Sequence, residues 1–201
     1  MVRRSVTGAR SSRVGPGLRA TPRFFDRPAD RVARDLLGAT LTVRSGRRTR
    51  STRIVETEAY LRNDPASHAY RGPTRRNRSM FGSPGTLYVY RIHQVVCANL
   101  VARRGEAVLL RAGRSDGVEP AVASGPGRLC RFLGLTLADD GLDATAGQRI
   151  EVRRHAVPQD RVRIGPRVGI RKAAERALRF AIADESAVSR PPPRGRAASN
   201  P

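Results

Sequence analysis

Ile54-Val55-Glu56-Thr57-Glu58-Ala59-Tyr60 is the stretch on which the reading of this chain turns. Alternate residues of a strand share a face. Val55, Thr57 and Ala59 therefore fall on one side, and Glu56, Glu58 and Tyr60 on the other. Small side chains on the first face suit packing. The second carries two acids and an aromatic, in a chain with 17 acids against 39 bases and 4% aromatic residues. The plain reading is a half-solvated strand with exposed glutamates. The functional reading is a carboxylate held at a basic cleft, where it acts on a water as general base.

Outward from that strand the pattern changes. Upstream, Ala29, Val32, Ala33, Leu36 and Leu37 lie on one helical face, which predicts a helix over 28–37 with Pro28 in its first turn and Gly38 at its cap. Leu41 and Val43 then alternate with polar residues, Gly46 marks a turn, and the 54–60 strand returns. Residues 61–85 are rich in Arg, Pro and Gly and read as a long loop, a kind of segment that is usually functional or disordered. Thr86–Ile92, Val95–Val101 and Glu106–Arg111 are three apolar, β-rich runs. Gly125–Leu135 reads as a helix with Leu129, Phe132 and Leu133 on one side. Residues 150–152 and 162–164 are weaker strand candidates, and Ile170–Ala183 is expected to form the last helix. Runs of strands with helices at the ends and one in the middle predict an α+β class: a single compact domain with a mainly antiparallel curved sheet and a few flanking helices.

The formal net charge is +22, with 38 arginines and a single lysine, Lys172. A G+C-rich genome would account for arginine in place of lysine, but not for bases outnumbering acids. Residues 1–21 hold five arginines and no acid, and are expected to be a disordered basic arm; a transit peptide ranks lower. Residues 190–201 hold three arginines and Pro191-Pro192-Pro193, and are expected to be a disordered tail. The stretch between them, 22–189, keeps 31 bases against 17 acids. The folded part is itself basic, which points to a polyanionic partner. No apolar run approaches the ~18 residues of a membrane span, so no membrane association is expected. Cys97 and Cys130 make neither a disulfide framework nor a zinc pattern, and read as buried small residues.

Several further strings stand in order along the chain: Leu36-Leu37-Gly38, His68-Ala69-Tyr70-Arg71-Gly72, Arg76-Asn77-Arg78-Ser79-Met80-Phe81, Pro84-Gly85-Thr86-Leu87-Tyr88-Val89-Tyr90, Cys97-Ala98-Asn99, Val108-Leu109-Leu110-Arg111-Ala112, Ser124-Gly125-Pro126-Gly127-Arg128-Leu129-Cys130, Arg167-Val168-Gly169-Ile170 and Leu178-Arg179-Phe180. With the 54–60 strand they cover about residues 24–189, and the sequence resembles the alkyladenine (3-methyladenine, methylpurine) DNA glycosylase family. The resemblance implies a monofunctional enzyme with no metal and no cofactor. It would flip a damaged purine out of double-stranded DNA and hydrolyse its N-glycosidic bond, with 3-methyladenine, 7-methylguanine, hypoxanthine and ethenoadenine as typical bases.

Such cleavage passes through an oxocarbenium-like sugar, which a carboxylate beside the anomeric carbon stabilises while it deprotonates water. By resemblance that carboxylate is Glu58, and Arg111 positions the water. Tyr60 and Tyr90 would wall the base on opposite sides, with His68 on the loop and Asn99 disfavouring the guanine amino group. Tyr88 carries no family role and reads as core. Arg71, Arg75, Arg76 and Arg78 are expected to contact phosphates.

The sequence departs from the family at the turn after Tyr90. A tyrosine and glycine are usual there; here His93 takes the wedge position and Gln94 follows it, in a turn one residue shorter. The 113–124 stretch is also short, and Ala183-Asp184-Glu185-Ser186 replaces a usual Gly-Asn-Pro turn. The alternative reading is a non-catalytic basic nucleic-acid-binding module that keeps the fold. Lys172 falls on the expected last helix, away from the motif, so Schiff-base lyase chemistry is not expected. A zinc deaminase lacks its His-x-Glu and Cys-x-x-Cys. A monomer is expected, acting in the cytoplasm at the nucleoid of a bacterial source.

Overall fold

The computed structural model describes residues 17–196. In chain order the elements are β1 (Leu18–Arg19), α1 (Pro22–Phe25), α2 (Ala29–Asp35), β2 (Thr40–Ser45), β3 (Arg48–Tyr60), β4 (Leu87–Ile92), β5 (Val95–Val101), β6 (Ala107–Arg114), α3 (Pro126–Leu133), β7 (Ile150–Arg154), β8 (Val162–Gly165), β9 (Arg179–Ile182) and β10 (Gly195–Arg196). Every pairing between these strands is antiparallel, in the order β1-β7-β2-β3-β6-β5-β4, with β9 on β3, β8 on β9 and β10 on β8. The expected α+β domain with a curved antiparallel sheet is what forms.

β3 makes the curvature. Its first half, Arg48–Arg53, pairs with β2 on one edge. Its second half, Glu56–Glu58, pairs on that edge with β9 instead, while β6 runs along the other. One strand thus joins two diverging sheet segments. Leu36, Leu37, Leu41, Ile54, Leu87, Leu100, Leu110 and Leu129 fill the main core. The Thr57 hydroxyl donates to the Ala33 carbonyl at 2.9 Å, which fixes the Val55-Thr57-Ala59 face against α2. Glu56 and Glu58 are turned the other way.

Three expectations are corrected. Glu56 and Glu58 are not exposed: both are fully buried. Ile170–Ala183 is not a helix. It is coil with Ala173 at positive φ (47°), followed by β9, buried at every position between β3 and β8. The open edge at Glu56–Glu58 recruits a strand there, and helix propensity yields to that pairing. Strands also form inside both expected tails, where Leu18–Arg19 pairs with β7 and Gly195–Arg196 with β8. The remainder of those tails, 1–16 and 197–201, lies outside the described residues. The short helix α1, capped by Thr21, had no counterpart in the sequence reading.

Candidate active site

The register of β3 against β6 slips twice beside the two glutamates. Ile54 pairs with Gly113, Glu56 with Ala112, and Thr57 with Leu110. Val55 is thereby an extra residue on β3, and Arg111 an extra residue on β6. A bulge re-aims the side chain it carries. The Arg111 side chain is buried, with its Nε donating to Glu56 Oε1 at 2.8 Å, its Nη1 3.2 Å from Glu58 Oε1, and its Nη2 donating to the Ser189 hydroxyl at 3.1 Å. Burial alone would lower its pKa. The carboxylates of Glu58 and Glu56 more than reverse this and hold it above the ordinary arginine value, so the guanidinium stays charged.

Glu58 is held from three directions. Besides Arg111, the Val168 backbone N–H donates to Oε1 at 2.8 Å, and the Tyr60 hydroxyl donates to Oε2 at 2.9 Å. Burial first, then the neighbouring carboxylate, push the Tyr60 phenol far above its usual range, so it remains a donor. On the other side of Tyr60 the Arg167 guanidinium lies 4.7 Å from the ring centroid.

Above this floor opens a pocket of about 380 Å³. Tyr60, Arg111, Val168 and Gly169 form its base; His68, Tyr88, Tyr90, Cys97 and Asn99 form its walls; Ile92, His93 and Val95 stand at its mouth. Glu58 does not itself line the pocket. It lies beneath, against three residues that do line it: Tyr60 and Val168, which donate to it, and Arg111, which pairs with it. Tyr88 and Tyr90 are stacked with centroids 5.4 Å apart, and His68 meets Tyr90 edge-on at 4.6 Å. His68 Nδ1 is 3.0 Å from the Tyr88 hydroxyl. Burial, and then the charge of Arg76, lower the His68 pKa, which keeps the ring neutral at neutral pH. Asn99 is buried and donates through Nδ2 to the Tyr88 carbonyl at 3.0 Å.

His93 sits at the tip of the two-residue hairpin between the paired residues Ile92 and Val95, exposed and at φ 52°. A non-glycine residue in that region carries strain of about 1–2 kcal/mol. Ile92 and Val95 are themselves among the exposed large hydrophobics. The tip is therefore an apolar pair capped by an imidazole.

The loop that brings His68 is organised by Asn77. Its Nδ2 donates to the carbonyls of His68 (2.7 Å) and Gly72 (3.1 Å), and its Oδ1 accepts from the Thr74 N–H and hydroxyl. Burying Asn77 turns its neighbours outward. Arg71, Arg75, Arg76 and Arg78 are all exposed, and none forms an ion pair among the described residues. Arg76 donates to the Arg91 carbonyl at 3.0 Å. Lys172 corrects the sequence reading: it lines the same groove as His68, Arg71, Arg76 and His93, close to the pocket instead of remote from it. Tyr88 is buried, as expected for a core residue, and also lines the pocket, while the sequence reading gave no role to Val168. The signals were present, since Tyr88 shares a strand face with Tyr90 and Val168 lies within a quoted motif. Among the described residues, no group of three or more His, Cys, Asp or Glu side chains is placed to hold a metal ion.

A carboxylate beneath an aromatic pocket, opening on a basic surface, is the equipment of a hydrolase that takes one base out of a nucleic-acid strand. The sequence profile described as methylpurine-DNA glycosylase (MPG) matches residues 23–186, and the chain belongs to that family of DNA repair glycosylases. It is 42% identical over 195 residues to a Rhizobium etli protein named "Putative 3-methyladenine DNA glycosylase", covering 89% of this chain and 91% of the relative. Proteins of the same name in Rhodopseudomonas palustris (41% over 197 residues; 90% and 92% covered) and Methanoculleus marisnigri (43% over 187; 83% and 96%) are similar to it as well. No helix among the described residues is long and apolar enough to cross a membrane.

Proposed function

We propose that the protein excises alkylated and deaminated purines from double-stranded DNA by hydrolysis, with 3-methyladenine, 7-methylguanine, hypoxanthine and ethenoadenine as its substrate class. The observation that carries this reading is the Glu58 carboxylate, held by Arg111, Tyr60 and the Val168 N–H immediately under an aromatic pocket. A flipped purine stacks between Tyr60 on one side and Tyr90 with His68 on the other, which replaces the stacking lost in the duplex. Water enters at the Arg111–Val168 floor, and Glu58 takes its proton as the glycosidic bond breaks. The same carboxylate stabilises the oxocarbenium-like sugar. Asn99, on the pocket wall, screens the base edge against a guanine amino group. The hairpin tip at His93, backed by Ile92 and Val95, fills the gap the base leaves, since apolar side chains serve as wedges between base steps. One chain holds the whole site, and the enzyme works as a monomer on chromosomal DNA in the cytoplasm.

The test is release of free base from duplex oligonucleotides carrying one lesion each, followed by chromatography. Release of 3-methyladenine or hypoxanthine is the expected result. Because Lys172 lies at the rim, the same reactions run with borohydride decide the chemistry: a water-based hydrolase traps no covalent adduct, whereas a lyase does. The alternative is a binding module, and the full burial of Glu58 is the observation on its side. Tight, salt-sensitive binding with no base released from any lesion would establish it.

Arg71, Arg75, Arg76 and Arg78 hold the phosphates flanking the flipped nucleotide. Each phosphate contact contributes about 0.9 to the slope of log K against log salt. Arg75→Ala is expected to weaken binding equally across sequences and to lower that slope by about 1. An unchanged slope would show that this arginine is only a solvated charge.

A further inference from the structure

Two carboxylates compete for Arg111. Glu58 receives Nη1, but the shorter contact, 2.8 Å from Nε, goes to Glu56. Glu56 is fully buried, does not line the pocket, and has no part in the hydrolysis described above. It is instead the centre of a dense network. Its Oε1 also accepts from Arg179 Nε at 2.7 Å and from the Ser189 hydroxyl at 2.8 Å, and its Oε2 accepts from the Ser189 N–H at 2.7 Å. Arg179 continues outward, donating through Nη2 to the Ser189 carbonyl and through Nη1 to the Pro191 carbonyl, both at 2.8 Å.

The Ser189 hydroxyl has a defined polarity. It donates to Glu56 and accepts from Arg111 Nη2, so it bridges the acid and the guanidinium. Two carboxylates and two guanidiniums balance in charge within the buried cluster, which an unpaired buried ion could not do without a large desolvation cost. The balance has a consequence for Glu58. Because Arg179 and Ser189 already satisfy Glu56, Arg111 is free to point its Nη1 at Glu58. Taking Arg179 away removes one donor from Glu56; taking the Ser189 hydroxyl away removes another and leaves Arg111 Nη2 without an acceptor, and either loss makes Glu56 lean harder on Arg111.

We propose that Glu56, Arg179 and Ser189 form a clamp that positions Arg111 against Glu58, so that the segment through Pro191, beyond the family match at 23–186, belongs to the catalytic apparatus. The three act through Arg111 and are positioning residues. The proposal rests on the hydrolase reading given above. Its signature is a loss in the chemical step without a loss in base or duplex binding, because Tyr60, His68 and Tyr90 are untouched by the clamp.

The experiment compares wild type with Ser189→Ala, a change that removes one hydroxyl and nothing else. Single-turnover base release and KM are measured on one lesion duplex, and thermal melting is followed in parallel. Losing a hydrogen bond to a buried charged group is expected to slow release about tenfold with KM nearly unchanged, and to lower the melting temperature by only a few degrees. Release at the wild-type rate would overturn the clamp. So would a fall in rate matched by a comparable rise in KM, which is the pattern of a merely structural residue. A wild type that releases no base removes the hydrolase reading and the clamp's role with it. An active wild type beside an unimpaired Ser189→Ala removes the clamp alone.

Discussion

Glu58→Gln is expected to abolish base release while duplex binding and folding persist. The geometry explains why this substitution is clean. Oε1 accepts from the Val168 N–H and lies 3.2 Å from Arg111 Nη1 as an ion pair, and an amide oxygen keeps the hydrogen bond in the same place. Oε2 meets the Tyr60 hydroxyl, which can turn from donor to acceptor and receive the new amide N–H. The side chain keeps its shape and its partners, and Arg111 keeps Glu56 as counter-ion. What disappears is the charge and the basicity. A general base contributes about 10²–10⁴-fold, and the stabilisation of a cationic sugar adds to it, so the rate should fall by about 10³-fold or more. The readout is single-turnover release of hypoxanthine or 3-methyladenine, with duplex affinity measured beside it. A variant that still released base within tenfold of wild type would remove Glu58 from the chemistry. Matching losses of affinity and activity would indicate damage to the pocket.

The β3 strand shows where sequence reading succeeds and where it stops. A period of two puts Glu56, Glu58 and Tyr60 on one face, and the structure keeps them there. The period does not say what covers that face. The cover comes from β9, Val168 and Ser189, more than 100 positions away, and exposed glutamates were the plain expectation for that reason. The last segment failed differently. Ile170, Ala173, Ala174, Ala177, Leu178 and Ala181 fall at helical spacing, and local pattern alone favours a helix. The unpaired edge of β3 is a tertiary demand that no local pattern contains, and it makes Arg179–Ile182 a strand. That error also displaced Lys172, which a helix would have carried away from the pocket and which the coil returns to its rim. Tyr60, His68, Tyr90, Asn99 and Arg111, each read from a short string, line one pocket in the structure. The bulge that aims Arg111 belongs to a register between two strands, and the sequence of either strand alone does not reveal it.

Asp64→Ala is expected to produce the largest loss of stability. Asp64 and Arg167 form an ion pair whose side chains are both fully buried. Asp64 stands in the turn that leads to His68, where it also caps the Ala66 N–H at 3.0 Å. Arg167 precedes Val168, donates to the Ala59 carbonyl at 3.0 Å, and lies over the Tyr60 ring. The pair therefore staples the two segments that flank the pocket. Arg167 Nε has no hydrogen-bond partner, and the Ala59 and Ala173 carbonyls that its Nη1 and Nη2 reach do not replace the lost countercharge. Removing the acid strands a charge in the interior, at a cost of about 3–5 kcal/mol. For a domain of this size each kcal/mol lowers the melting temperature by about 2–4 °C, which predicts a drop of roughly 10 °C. The contrast is Arg53→Ala, which breaks the half-exposed pair with Glu185 and should cost under about 1 kcal/mol. A double substitution, Asp64→Ala with Arg167→Met, removes both charges and should recover much of the stability. It should not recover the activity, because Tyr60 loses the guanidinium behind its ring and Val168 its anchored neighbour. Differential scanning calorimetry of the four proteins beside their base-release rates decides the matter. An Asp64→Ala melt close to wild type would mean that water reaches Arg167, and that the staple is not what holds the pocket closed.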